Sequence, residues 1–154
     1  MPKRRATAAT TYPLDPVLDF LRLLWSIEHG LHRTSKQMDR RFGITAPQRL
    51  VLRIVERFPG ISAGDLAHIV RLHPSTITGI LERLVSRGVL SRDSDPADNR
   101  RARLRLKPRA LLYTRISTGT VEQAVRLALR RAGTANVKAS RKVLAAVAQR
   151  LNDV

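Results

Sequence analysis

Apolar residues in this chain recur mostly three or four positions apart, the spacing that gathers them on one face of a helix. The first such run is long: Val17, Phe20, Leu21, Leu24, Trp25, Ile27 and Leu31, continued by Met38 and Phe42. Asp15 before Pro16 marks its start, an N-cap followed by a proline whose missing N–H is harmless in a first turn. Gly43 supplies the stop. A helix of about 27 residues reaches roughly 40 Å. A compact monomer of this size does not need that length, so the apolar stripe is expected to continue into a partner.

The next elements are shorter. Thr45 caps a second helix through Pro47, Leu50, Val51, Ile54 and Val55, expected to end near Pro59 and Gly60. Ser62, followed three residues later by Asp65, opens a third helix carrying Leu66, Ile69 and Val70, in the spacing of a capping box with a shortened acid. After a brief turn at Arg71, Leu72 and His73, Pro74 starts a fourth helix. Its residues Ile77, Ile80, Leu81, Leu84 and Val85 form a core-facing stripe, and Gly88 ends it. The period then falls to two. Residues 89–92 make a short strand, 95–99 a turn, and 101–107 a second strand with cations on one face and apolar residues on the other. Pro108 begins another helix through Leu111, Leu112, Ile116, Val121, Val125 and Leu129 as far as Gly133. A last helix carries Val137, Val143, Leu144, Val147 and Leu151. The fold class is therefore mainly α with a small β-hairpin wing, a winged helix-turn-helix flanked by further helices.

Two short helices joined by a tight turn and followed by a basic hairpin can grip B-DNA, the second helix entering the major groove with its N-terminal residues toward the bases. With the apolar stripe buried, the face left over holds Pro74, Ser75, Thr76, Thr78, Gly79 and Arg83. Hydroxyls bond base edges or phosphates, a Thr methyl touches thymine, and Gly79 permits close approach. The same residues would also serve as the polar first turn of an ordinary helix. The hairpin weighs against that: Arg100 lies at its tip, with Arg92, Arg101, Arg103 and Arg105 on its strands. An Arg at a hairpin tip is placed to enter a narrow minor groove. Asp98 either orients that Arg through a charge-assisted bond or caps the turn. Cations that blunt an exposed strand edge would give the same strand pattern.

Composition agrees. The 154 residues carry 29 Lys and Arg against 12 Asp and Glu, a net charge of +17 that draws polyanions. Most of the cations are Arg, whose fork suits phosphate and guanine. An Arg-rich proteome would produce part of this excess without any DNA. The length suits one domain with a proper core. Aromatics are only 4%, so that core is built from Leu, Val, Ile and Ala. The absence of Cys excludes disulfides and thiolate chemistry. Neither a secretory signal nor an apolar run of membrane-spanning length is present, and a cytoplasmic protein with no membrane partner is expected.

Thr45, Ala46, Pro47 and Gln48, then Leu66 and Ala67, then Pro74 to Thr78, Leu84 and Gly88 to Leu90, and finally Asp95, Pro96, Asp98, Asn99, Arg100, Arg101, Leu104 and Leu106 resemble the MarR family of bacterial regulators. The similarity covers about residues 45–107; the Asp-x-Arg at 98–100 is its most specific part. The resemblance implies a homodimer whose first helix and last two helices interlock, bound to a pseudo-palindromic operator on double-stranded DNA. It implies a repressor released by a small aromatic or phenolic ligand, with Arg100 in the minor groove and Asp98 orienting it. The chain then divides into a flexible basic tail at 1–13, an N-terminal dimerisation helix at 14–44, the DNA-binding lobe at 45–107 and C-terminal dimerisation helices at 108–154.

Three positions depart from the family pattern. Arg71 stands where the turn usually has Gly, so either the turn avoids positive φ or Arg71 carries strain. His73 replaces the usual Ser cap, and Lys107 replaces a capping Thr although it cannot accept a hydrogen bond. Each is a candidate phosphate contact. Trp25 and His29, one turn apart on the long helix, are candidate ligand-binding residues, with a place in the dimer core as the alternative for Trp25. His29 and His32 share a face, but no further ligand completes a metal set, and neither metal nor cofactor is expected. No nucleophile elbow, phosphate loop or carboxylate pair suggests an enzyme. The competing reading is an architectural protein that coats DNA without sequence preference.

Overall fold

A computed structural model of the chain describes residues 12–95 and 98–153, and between 95 and 101 the backbone alone. The expected basic tail lies almost wholly outside the described residues. Helix α1 spans Pro16–Phe42, with the Asp15 carboxylate accepting from the N–H groups of Val17 and Leu18 and Gly43 in the left-handed region at its end. Only Met38 of this helix is buried. Trp25 is 67% exposed, and Val17, Leu18, Leu23, Ile27 and Leu31 are exposed with it. An amphipathic helix this bare has an apolar face without a partner among the described residues.

The core belongs to the middle of the chain. Helices α2 (Ala46–Arg57), α3 (Ala63–Val70) and α4 (Pro74–Ser86) pack with strands β1 (Leu90–Asp95) and β2 (Asp98–Leu106). Val51, Leu52, Val55, Leu66, Ile77, Leu81, Leu84, Leu90 and Leu104 all lie at or below 2% exposure in this cluster. Caps set the helix starts. Thr45 and Gln48 form a reciprocal capping box on α2, and the Ser35 hydroxyl of α1 accepts from the Ala46 N–H at 3.0 Å. Ser62 caps α3 by accepting from the Asp65 N–H, but its hydroxyl donates to the Asp65 carboxylate at 2.6 Å. With one methylene fewer than Glu, the acid meets the cap's hydroxyl. The Arg87 guanidinium at the end of α4 donates to the Gly43 carbonyl, tying α4 to the end of α1.

Several expectations need correction. Helix α2 stops at Arg57, and the chain beyond it pairs with the wing: the Gly60 N–H donates to the Leu104 carbonyl at 2.8 Å, and the Leu104 N–H to the Ile61 carbonyl at 3.0 Å. Ser62 bridges Arg103, so a third extended segment joins the sheet. The strands run longer than their alternation suggested. Asp95, Asp98 and Asn99, expected in the turn, lie on β1 and β2, while Pro96 and Ala97 fall outside the described residues. Val85 is 39% exposed because the stripe of α4 is already complete at Ile77, Ile80, Leu81 and Leu84.

The helix expected from Pro108 to Gly133 is broken. A single 3₁₀ turn at Pro108–Ala110 leads into α5 (Leu111–Thr114), and α6 begins only at Val121. Gly119 sits at φ 69°, and Thr120 accepts from the Gln123 N–H as the cap of α6. In turn the side-chain oxygen of Gln123 accepts from the Gly119 N–H at 2.7 Å. Helix α6 runs Val121–Ala132 and α7 Thr134–Asn152, and neither buries a residue. Among the described residues no helix is long and apolar enough to cross a membrane.

Arg71 caps α3 at φ 54°, ψ 41°, the one non-glycine at positive φ among the described residues. Of the two readings of this turn, the strained one holds. A left-handed L-residue costs roughly 1–2 kcal/mol, part of which glycine gives back as chain entropy. Arg71→Gly is expected to raise unfolding stability by about 0.5–1 kcal/mol in chemical denaturation at fixed protein concentration. A loss of stability would mean that the Arg71 side chain contributes more than its backbone costs.

Candidate nucleic-acid interface

Helix α4 is positioned by the four residues it buries. Ile77, Ile80, Leu81 and Leu84 face the core, which leaves Pro74, Ser75, Thr76, Thr78 and Arg83 exposed together on the opposite side. Gly79 is half-buried on that same face, one turn from both Ser75 and Arg83, and a Cβ there would meet nothing within 4 Å, so its lack of a side chain leaves the face low. His73 does cap the helix: its Nδ1 accepts from the Ser75 N–H at 3.3 Å and lies 2.8 Å from the Ser75 hydroxyl. Thr78 donates its hydroxyl to the Pro74 carbonyl at 3.0 Å, leaving its methyl and an oxygen lone pair outward. The first turn is thus pre-ordered and still able to accept. Arg71 and His73 are exposed beside it.

The wing is fixed by register. Leu90 pairs with Leu106, Ser91 with Arg105, Arg92 with Leu104, and Asp93 with Arg103. Directly opposed residues share a face. Arg103 and Arg105 therefore lie on one face with Ser91 and Asp93, as the alternation required. Arg92 lies on the other, the face of Leu90, Leu104 and Leu106, and is exposed beyond them. The basic outer face consequently loses Arg92. Arg103 is half-buried, its stem 4.0 Å from where a Cβ on Gly60 would stand. Asp98 and Arg100 are the first and third residues of β2. The side chains of Asp98, Arg100 and Arg101, and with them the expected pairing of Asp98 with Arg100, lie outside the described residues. Lys107 precedes the 3₁₀ turn without a side-chain cap and is exposed.

A second constellation was not expected from the sequence. Arg49 of α2 is only 4% exposed. Its Nε donates to Glu122 Oε1 at 2.8 Å, and its Nη2 to the carbonyls of Ile116 at 2.7 Å and Thr114 at 3.5 Å. One guanidinium thus holds α2, and the core packed on it, to the break between α5 and α6. Arg49 Nη1, Glu122 Oε2 and Thr114 Oγ1 are buried without a partner among the described residues. Leu50, expected in the core, is 42% exposed in its place. The signal was present as a period: Gln48, Val51, Leu52 and Val55 are buried around Arg49, and Glu122 follows a capping Thr at first-turn spacing.

Beside this pair a cavity of about 430 Å³ opens among α1, α2, α3 and α6, lined by Leu31, His32, Ser35, Leu50, Val121 and Glu122, among others. Trp25 and His29 do not line it. Both are exposed on α1, while His32, one turn beyond His29, is on the wall.

The comparisons with known proteins follow the same outline. Residues 44–102 match the model of the MarR family. An uncharacterised HTH-type transcriptional regulator of Bacillus subtilis, YsmB, is 28% identical over 99 residues, 64% of this chain and 68% of that protein. The PcaV transcriptional regulator of Streptomyces coelicolor, solved with its natural ligand, shares the fold at a TM-score of 0.72 and 24% identity, covering 90% of this chain and 98% of its own. MepR of S. aureus, solved with DNA, shares it at a TM-score of 0.69 and 18% identity, covering 88% and 98%.

Arg49 is buried, while its partner Glu122 is 31% exposed, so removing Arg49 strands a carboxylate that water still reaches. Arg49→Ala is expected to cost about 1–3 kcal/mol of unfolding stability, because the carbonyls of Thr114 and Ile116 and the Glu122 carboxylate lose their donor. A change below about 1 kcal/mol, the usual value of an exposed pair, would show that Arg49 does not hold the lobe to α6.

Proposed function

We propose that this chain, whose residues 44–102 match the model of the MarR family, is a homodimeric repressor of a pseudo-palindromic operator. The observation that carries the reading is the division of α4, four apolar residues in the core and an ordered face of hydroxyls and Arg83 outside it. Two such helices enter successive major grooves about one helical turn, roughly 34–36 Å, apart. Arg100 enters the flanking minor groove with Asp98 orienting it. Arg101 and Arg103 on the wing, with Arg71, His73 and Lys107, hold phosphates, which position the protein without reading sequence. Arg92 joins them from the inner face of the wing.

Dimerisation is supported by what the single chain leaves bare. Leu23, Trp25 and Ile27 of α1, Val125 and Leu129 of α6, and Leu144 and Leu151 of α7 are all exposed. Interlocked, these faces form the second core that helices of this length require. The cavity among α1, α2, α3 and α6 takes a small aromatic ligand whose binding releases the operator. Such a repressor works where the chromosome is, in the cytoplasm, and has no need of catalytic groups.

The net charge of +17 favours one other reading, a protein that coats DNA without sequence preference. Salt-matched affinities separate the two: a specific regulator prefers its operator over random duplex by several kcal/mol, and a coating protein does not. Arg100→Ala is expected to weaken operator binding by about 1–3 kcal/mol while light scattering still shows a dimer. Unchanged affinity in that variant would remove the minor-groove role of the wing. A wild-type monomer at micromolar concentration would remove the architecture.

A further inference from the structure

The positive charge is not where the winged helix-turn-helix alone would put it. Residues 45–107 hold twelve Lys and Arg against six Asp and Glu, whereas residues 108–154 hold nine against two. The shorter C-terminal segment therefore carries the larger surplus. Most of it is sorted onto one side of two helices. On α6, Arg126 and Arg130 lie across the helix from Ala132, at the rim of a groove whose apolar lining is Leu50, Val121, Val125 and Leu129. On α7, Lys138 and Lys142, flanked by Arg141, stand opposite Val147 and Leu151, with Leu144 beside them. All five cations are exposed, and no ion pair among the described residues involves any of them. Arg126 with Arg130, and Lys138 with Lys142, are like charges one turn apart, a spacing that repels within a helix.

We propose that the outward faces of α6 and α7 form a second DNA-binding surface, which engages the phosphates of duplex DNA outside the winged helix-turn-helix. The inference rests on the dimer reading in one respect: the apolar faces of these helices are taken up by the partner copy, so the basic faces remain outside. That same use of the apolar faces disfavours a membrane, because an amphipathic helix binds a bilayer by burying its apolar side. What is left is a rigid array of cations without an inserting side, suited to a rigid array of phosphates.

The test compares wild type with a fourfold variant, Arg126→Gln, Arg130→Gln, Lys138→Gln and Lys142→Gln, by anisotropy on a random-sequence duplex across a KCl series. Light scattering confirms that the variant remains a dimer. Each phosphate that the variant no longer neutralises flattens the slope of log K against log salt by about 0.9, so a flattening of roughly 2–4 is expected, with affinity at low salt falling by about tenfold or more. An unchanged slope in an intact dimer overturns the proposal. So does binding to phosphatidylglycerol vesicles that the variant loses while its duplex affinity stays at the wild-type value. Should the variant fail to dimerise, acetylation of Lys138 and Lys142 in the wild-type protein decides. Protection by random duplex supports the surface, and full reactivity at saturating duplex overturns it. Because random duplex is the probe, these outcomes stand apart from operator preference, which Arg100→Ala reports.

Discussion

Helix α4 is the wall against which the rest of the DNA-binding lobe is built. Ile77, Ile80, Leu81 and Leu84 are its contribution to the core, and they meet residues from α2, α3 and both strands. At roughly 1.5–3 kcal/mol for each fully buried aliphatic side chain, four of them outweigh any single cap or ion pair in the lobe. Their burial also decides orientation. A helix whose inner face is fixed by four large side chains cannot rotate without exposing one of them, so Ser75, Thr76, Thr78 and Arg83 are held outward by packing on the other side. The chemistry of the recognition face is modest, and its placement is rigid.

That rigidity coexists with weak local signals at the ends of the same motif. Arg71 is held in a left-handed turn that suits glycine, His73 caps with a ring nitrogen at 3.3 Å, and Lys107 gives its helix no side-chain cap at all. Each is a place where a better local residue is simple to name, and each is exposed. A protein tends to break local rules where another demand competes with stability. The core of α4 supplies the stability against which these departures are tolerated.

The features legible in the sequence are those that depend on near neighbours. Asp15, Thr45 and Ser62 cap where their side chains imply, Gly43 ends α1, and the alternation around Leu104 places Arg103 and Arg105 on one face. The misses are mostly non-local. Pairing of Gly60 to Ser62 with β2 joins segments about forty residues apart and leaves no periodicity of its own. Apolar spacing carried the helix from Leu111 through Ile116 to Val121, but Gly119, Thr120 and Gln123 satisfy their own polar groups in a break there. Arg49 was hidden by its type. A charged side chain is assigned to solvent by default, and only the bond to Glu122, seventy-three residues away, makes its burial tolerable. In the site itself, the exposed face of α4 was legible residue by residue. The face of Arg92 was not, since it depends on which residue of β2 stands opposite.

The Arg49–Glu122 pair also bears on how the two ends of the molecule communicate. The cavity beside it touches Leu50 and Glu122, the neighbours in sequence and space of the one guanidinium that joins α2 to the α5–α6 break. Helix α2 shares its core with α4, so the way α6 sits against α2 bears on α4 as well. The orphaned Nη1 and Oε2 at this joint are groups whose satisfaction depends on how the two elements sit. With Arg49 buried and Glu122 only partly covered, such a pair adds little to stability, yet a shift of either element changes which polar atoms remain unpaired. A joint whose charged residue type alone would assign it to solvent therefore fixes how α6 sits on the core that α2 and α4 share.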